Sequence, residues 1–172
     1  MATIQILLAV AALLVGLVVY TKTQTLTPPT TPTATFTSRI PSNVSKDRLL
    51  STLHNHSFMI RAVAPKSRGH KLISGDPSSK AVYSVTDKKP IGEVTFSFTL
   101  TNVPDGIDSR VDSKTPFGKL VAAGKWRVGD DGVLREDLYV TANAFMTKVA
   151  KANLKATHPP AQRFLLEQAA SG

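Results

Sequence analysis

The stretch VTFSFTLTNVPDGI, residues 94–107, decides the fold because it holds the clearest strand in the chain and the turn that ends it. Phe96, Phe98 and Leu100 alternate with threonine and serine, which is the period-two pattern of a strand with one buried face. Residues 102–106, NVPDG, have the composition of a turn. The sequence therefore predicts a strand, a turn and a returning antiparallel strand.

The segments before this hairpin predict a strand followed by a pair of helices. Residues 35–40, TFTSRI, alternate and are rich in β-formers. Ser45 can cap a helix over the residues that follow it, and a second short apolar piece centred on Met59 comes next. Short strands at 70–73 and 81–85 then lead into the central hairpin.

The segments after the hairpin predict a second hairpin and a long C-terminal helix. Residues 120–142 form two strands around the turn sequence GDDG. Helical spacing of apolar residues begins at Phe145. Pro159 and Pro160 cannot lie inside an unbroken helix, so we expect a kink or a stop near Thr157 and then a restart.

The order of these elements predicts an α+β domain. It has an antiparallel sheet of about six to seven strands, helices on one face and a long C-terminal helix around which the sheet wraps. We place this domain at residues 36–172, after a tether at 21–35 and a membrane anchor at 1–20.

With this pattern in place, the chain resembles a family of fungal domains of unknown function, DUF7053, and the START-like (SRPBCC) helix-grip architecture. The resemblance covers residues 35–168 and implies a fold rather than a chemistry. The two prolines interrupt a segment in which the family continues its helix. The motifs that carry the resemblance are SKDRLLSTLHNHSF at 45–58, YSVTD at 83–87, FTLTNVPDGI at 98–107, the strand of Trp126 and LKATH at 154–158.

The N-terminal segment IQILLAVAALLVGLVVY, residues 4–20, predicts a signal-anchor transmembrane helix. As a helix it would be about 26 Å long, enough to cross a thin bilayer with its flanking residues. The preceding MAT carries no side-chain charge, and the run ends in a poor cleavage site, which disfavours a signal peptide. Residues 21–35, TKTQTLTPPTTPTAT, are too polar to fold and predict an extended tether.

Few residues indicate on which side of the membrane the domain of this predicted single-pass protein lies. Lys22 and Arg39 follow the apolar run, which favours a cytosolic domain. A lumenal or secreted domain is the alternative, and glycosylation triplets at Asn43 and Asn55 would suit it. The formal charge of +9 favours anionic partners such as lipid headgroups.

Catalytic and metal-binding patterns are missing from the sequence. Without cysteine there are no disulfides, thiolate metal sites or cysteine nucleophiles. His54 and His56 fit a polar helix end better than a metal site, and His158 fits a helix C-terminus. Glu136 and Asp137 are adjacent on a strand and so point to opposite faces. We therefore predict no cofactor, no metal and no enzymatic activity.

The aromatic residues are the most informative candidates for a site. A plain core would explain them, and the alternative is that some line a cavity under the last helix. They are not interleaved with basic residues, so we expect no nucleic-acid partner. The leading hypothesis is a membrane-anchored domain that binds a lipid or other apolar molecule, and the alternatives are a ligand-free scaffold or a cavity enzyme such as a cyclase. The predicted cavity-lining residues are Phe96, Phe98, Leu100, Trp126, Tyr139 and Phe145.

Overall fold

A computed structural model describes residues 29–89, 92–115 and 118–171, which form one sheet and three helices. Their order confirms the predicted strand, helix pair, run of strands and final helix. The elements are β1 (Ala34–Arg39), α1 (Lys46–His54), α2 (His56–Val63), β2 (Ser67–Asp76), β3 (Lys80–Lys89), β4 (Gly92–Val103), β5 (Gly106–Thr115), β6 (Gly118–Val128), β7 (Val133–Ala142) and α3 (Ala144–Ser171).

The sheet has seven strands in the order β1-β7-β6-β5-β4-β3-β2, and every neighbouring pair is antiparallel. Strands β2 to β7 lie beside one another in chain order, and β1 joins the sheet beside β7. Phe98 on β4 lies opposite Tyr83 on β3 and Val111 on β5. The predicted antiparallel sheet is therefore confirmed.

The inward face of the sheet carries the core. Phe98 and Leu100 are fully buried and Phe96 is half-buried, whereas Thr95 and Ser97, on either side of Phe96, are exposed. This is the alternation predicted for residues 94–101. The largest cluster joins these strands to the helices through Leu49, Leu53, Met59, Ile60 and Leu165.

Two side-chain caps place the helix pair. The Ser45 hydroxyl accepts a hydrogen bond from the backbone N–H of Arg48 at 3.3 Å, as the sequence predicts for a capping serine. Asn55 ends α1 and caps α2, because its side-chain oxygen accepts from the N–H groups of Ser57 and Phe58. The two helices therefore meet at one residue without a longer loop.

We predicted a kink or a stop near Thr157, and the stop is wrong, because α3 runs from Ala144 to Ser171 as one helix with both prolines inside it. Proline at 159 and 160 removes the N–H partners of the carbonyls of Lys155 and Ala156. Both of these residues are exposed, so water can satisfy the two carbonyls. Beyond the prolines, the buried residues Ala161, Gln162, Leu165, Leu166 and Ala169 hold the helix on the core.

Within the described ranges no helix is both long enough and apolar enough to cross a bilayer. The predicted anchor at 1–20 and most of the predicted tether at 21–35 lie outside those ranges. The described part of the tether segment already joins the sheet, since Thr33 N–H donates to the carbonyl of Leu138 at 2.7 Å and β1 begins at Ala34.

Candidate functional site

A cleft of about 720 Å³ lies between α2, the start of β2 and the middle of α3. Its apolar walls come from all three segments, which are far apart in sequence. Burial is deepest at Ala62 and Ala161, on the two facing helices. The apolar lining residues are Ala62, Val63, Pro65, Ala156, Pro160, Ala161 and Phe164.

An aromatic contact fixes the distance between the two helices that flank the cleft. The ring of Phe164 on α3 meets Phe58 on α2 edge-on, with centroids 6.4 Å apart. The guanidinium of Arg61 lies 5.3 Å from the centre of the same Phe164 ring. Such cation–π contacts hold an arginine head in place while leaving it accessible.

The polar lining of the cleft is basic. Arg61, Lys66, Arg68 and His70 contribute to it, and no carboxylate is among its described lining residues. Arg68 forms an exposed ion pair with Glu93, with Nη1 and Oε1 3.0 Å apart. The cleft thus combines apolar walls with a positive rim, a combination that the scattered basic residues of the sequence do not predict.

The structure divides the six predicted cavity-lining residues into three groups, and none of them lines this cleft. Phe98, Leu100 and Trp126 are fully buried in the core. Phe96 is half-buried on the same face, with its ring centroid 6.3 Å from that of Phe98. Contact between these residues and a ligand stays a prediction.

Tyr139 and Phe145 lie away from that face. Tyr139 sits between Leu138 and Val140, whose side chains point inward, so the strand pleat turns it to the outer face. There its ring lies 5.6 Å from Nζ of Lys125. Phe145, in the first turn of α3, is 59% exposed.

A buried acid–histidine pair joins α3 to β7, and sequence reasoning missed it. Nδ1 of His158 lies 2.8 and 2.9 Å from the two carboxylate oxygens of Glu136, which is 1% exposed. The Phe36 ring stacks on the imidazole at 5.2 Å. A glutamate on a strand face between Leu134 and Leu138 is the signal that could have revealed a buried partner.

A group of polar side-chain atoms lies next to this pair. Ser109 Oγ, Trp126 Nε1 and Glu136 Oε1 all come within 3.4 Å of the position that a Cβ on Gly124 would occupy. Trp126 Nε1 has no hydrogen-bond partner among the described residues. Asp137 points outward, opposite to Glu136 as predicted for neighbouring strand residues, and accepts a hydrogen bond from the Thr35 hydroxyl at 2.6 Å.

The two histidines at the junction of α1 and α2 are held in place by hydrogen bonds. Nε2 of His54 donates toward the carbonyls of Val103 and Gly106, at 3.2 and 2.9 Å. His56 is buried between the Tyr83 hydroxyl and the side-chain oxygen of Asn102. Burial lowers the pKa of His56, which favours the neutral ring. Both histidines fix α1 and α2 to the sheet.

The acid–histidine pair predicts a pH dependence of stability. Burial raises the pKa of Glu136 above its usual 4.5, and the hydrogen bond from His158 offsets part of that shift. Above pH 4.5 and up to the raised pKa, the folded state keeps a proton that the unfolded state has lost, so stability falls as pH rises.

We therefore expect Glu136→Gln to remove this decrease of stability with rising pH. Urea unfolding of wild type and variant, followed across pH 4.5 and above, should show wild type losing free energy of unfolding relative to the variant. Glu167→Gln, on the exposed side of α3, is the matched control for removal of one carboxylate. Parallel curves for wild type and Glu136→Gln would contradict the assignment.

Comparison with known proteins gives a family and a fold. Residues 29–171 match the model of the family described as "Domain of unknown function (DUF7053)". A search of curated proteins gave no significant match.

Solved structures with the same arrangement have low sequence identity to the chain. The Zhui aromatase/cyclase from Streptomyces sp. R1128 aligns with a TM-score of 0.58 at 12% identity, over 79% of this chain and 92% of that chain. Ginseng major latex-like protein 151 from Panax ginseng aligns with a TM-score of 0.57 at 10% identity, over 79% of this chain and 95% of that chain.

The di-domain ARO/CYC StfQ from the steffimycin biosynthetic pathway aligns with a TM-score of 0.55 at 13% identity, over 80% of this chain. The chain spans 50% of the length of that protein. At these identities the likeness is one of fold alone. A seven-stranded antiparallel sheet with a long C-terminal helix fits the helix-grip, START-like fold that the resemblance implies.

Proposed function

The chain belongs to the DUF7053 family, and from this premise we propose that its helix-grip domain binds a lipid or another apolar small molecule at a membrane. The observation that carries the proposal is the cleft between α2, β2 and α3. Its volume of about 720 Å³ falls in the range of small-molecule sites, roughly 300–1,000 Å³. Alanine, valine and proline side chains and the Phe164 ring form its apolar walls, and apolar walls are typical of such sites.

Binding without catalysis agrees best with the placement of the titratable groups. Two of the similar structures are named aromatase/cyclases, so a cavity enzyme is the alternative. The buried pair that could move a proton is Glu136 with His158, but neither residue lines the cleft. Both carboxylate oxygens already accept from the imidazole, which suits a structural clamp between α3 and β7.

A cleft-filling substitution tests the binding proposal. Ala156 and Ala152 are both exposed on α3, and of the two Ala156 alone lines the cleft. We expect Ala156→Trp to weaken binding of the neutral fluorescent probe phenylnaphthylamine by at least about tenfold, because the indole takes the place of the probe. Ala152→Trp is the matched control and should bind like wild type. Equal binding by the two variants would refute the assignment of the cleft.

The membrane part of the proposal rests on the apolar run at 4–20 and on the net charge of +9, which favours anionic headgroups. We propose a cytosolic domain, with a lumenal or secreted one as the alternative. Deleting residues 2–20 is expected to release the protein from carbonate-washed membranes, because the apolar run at 4–20 would no longer enter the bilayer. A secreted, processed full-length product would contradict the anchor, and an endoglycosidase-sensitive mass would contradict the orientation.

A further inference from the structure

The charged groups of the cleft all have one sign. Arg61, Lys66 and Arg68 lie along its α2–β2 side, followed by His70. No aspartate or glutamate is among the described residues that line it. Basic groups gathered at a concave, partly apolar surface focus their field on the space between them and favour an anion there.

Two of these cations are available for a ligand. Arg68 is already paired with Glu93 on the solvent side. Among the described residues no carboxylate forms an ion pair with Arg61 or Lys66, and the Arg61 guanidinium lies over the Phe164 ring. An aromatic ring holds a guanidinium without neutralising its charge.

The positive rim and the apolar walls meet within one cleft. Val63 and Ala62 continue directly from Arg61 on α2, and Ala161 and Phe164 face them from α3. A molecule that fills the cleft would therefore touch aliphatic and aromatic carbon along its body and basic nitrogen at one end. A neutral apolar molecule would contact the walls and leave Arg61 and Lys66 without a partner.

We propose that the ligand of the cleft is an anionic amphiphile: an apolar chain or ring system that carries a carboxylate, phosphate or sulfonate group, held by Arg61 and Lys66. The inference rests on the proposed function and narrows it to one class of ligand. A free amphiphile and a bilayer lipid with an anionic headgroup share this chemistry, so the experiment includes both.

The test uses the full chain in phosphatidylcholine nanodiscs and two fluorescent probes of matched shape. Anilinonaphthalenesulfonate is anionic, and phenylnaphthylamine is its neutral counterpart. The test variant is Arg61→Gln/Lys66→Gln. The control, Lys151→Gln/Arg163→Gln, removes the same number of charges from exposed positions of α3 outside the cleft. Empty discs give the bilayer signal to be subtracted.

We expect the test variant to bind the sulfonate probe about tenfold more weakly than wild type, since two partly screened ion pairs are lost. Binding of the neutral probe should change less than about twofold. The control should match wild type with both probes. Raising the salt concentration should weaken binding of the sulfonate probe alone.

Competition identifies the source of the anion. Displacement of the sulfonate probe by dodecanoate but not by dodecanol supports a free amphiphile. Displacement on adding phosphatidylserine to the discs supports a bilayer lipid. Equal effects of the charge substitutions on both probes, or displacement by dodecanol alone, would overturn the inference while leaving the proposed function in place. Binding of neither probe to wild type would overturn the proposed function itself.

Discussion

Phe98→Ala is expected to lower the free energy of unfolding by about 3–5 kcal/mol, the usual cost of emptying a buried phenylalanine site. Phe98 is 0% exposed and lies on the central strands between Tyr83 and Val111. The surrounding strands are hydrogen-bonded on both sides, so the cavity cannot collapse without breaking the sheet. Trp126 is the only tryptophan and reports unfolding by its fluorescence in urea.

Phe96→Ala is the matched control on the same strand and the same face. Phe96 is half-buried, so less apolar surface returns to water and the loss should be clearly smaller than for Phe98→Ala. If Phe98→Ala costs no more than Phe96→Ala while binding of an apolar probe falls, Phe98 borders a ligand space instead of closing a packed core. That result would restore the cavity predicted under the last helix.

His158→Ala is expected to destabilise the domain by about 3–5 kcal/mol near neutral pH, because it leaves the buried carboxyl of Glu136 without its partner. The substitution also removes the ring that stacks on Phe36. The loss should shrink as the pH is lowered, since a protonated Glu136 carries no charge into the apolar interior.

The double variant Glu136→Leu/His158→Leu separates these causes. With both polar groups replaced by apolar ones, no buried charge remains and most of the stability should return. A double variant as unstable as His158→Ala would show that the histidine contributes packing around α3 rather than its contact with Glu136. Urea unfolding of the three proteins at two pH values decides between these results.

Much of the fold follows from local patterns in the sequence. The alternation over residues 94–101 predicts both the strand β4 and its buried face, and the turn sequence GDDG predicts the β6–β7 hairpin. Ser45 predicts the start of α1. In each case the deciding interactions lie within a few residues of one another, which is the range that periodicity and capping rules describe.

The continuity of α3 is decided by packing beyond the prolines. Pro159 and Pro160 weaken the helix locally, but Leu165 and Leu166 bury the following turns against the core. Rules based on local sequence include the hydrogen bonds that proline removes but not this burial, so they allow a stop at a place where tertiary contacts maintain the helix.

The candidate site depends on contacts between distant segments. Glu136 and His158 are 22 positions apart, and the cleft brings α2 and β2 against residues almost 100 positions later. Each basic residue taken alone looks like a solvated surface charge. Their shared position beside Phe164 exists only in the folded chain, and so the sequence predicts an apolar ligand without predicting where it would bind.

Small molecules that co-purify with the protein from cells are the most direct test of ligand binding in the cleft. The full chain, its Ala156→Trp variant and its Ala152→Trp control are purified in parallel, extracted with organic solvent and analysed by mass spectrometry. We predict an apolar compound in about equimolar amount with wild type and the control, and a loss of at least about tenfold with Ala156→Trp. An extract with no such compound from wild type, or equal amounts from all three proteins, would contradict a ligand-binding cleft between α2, β2 and α3.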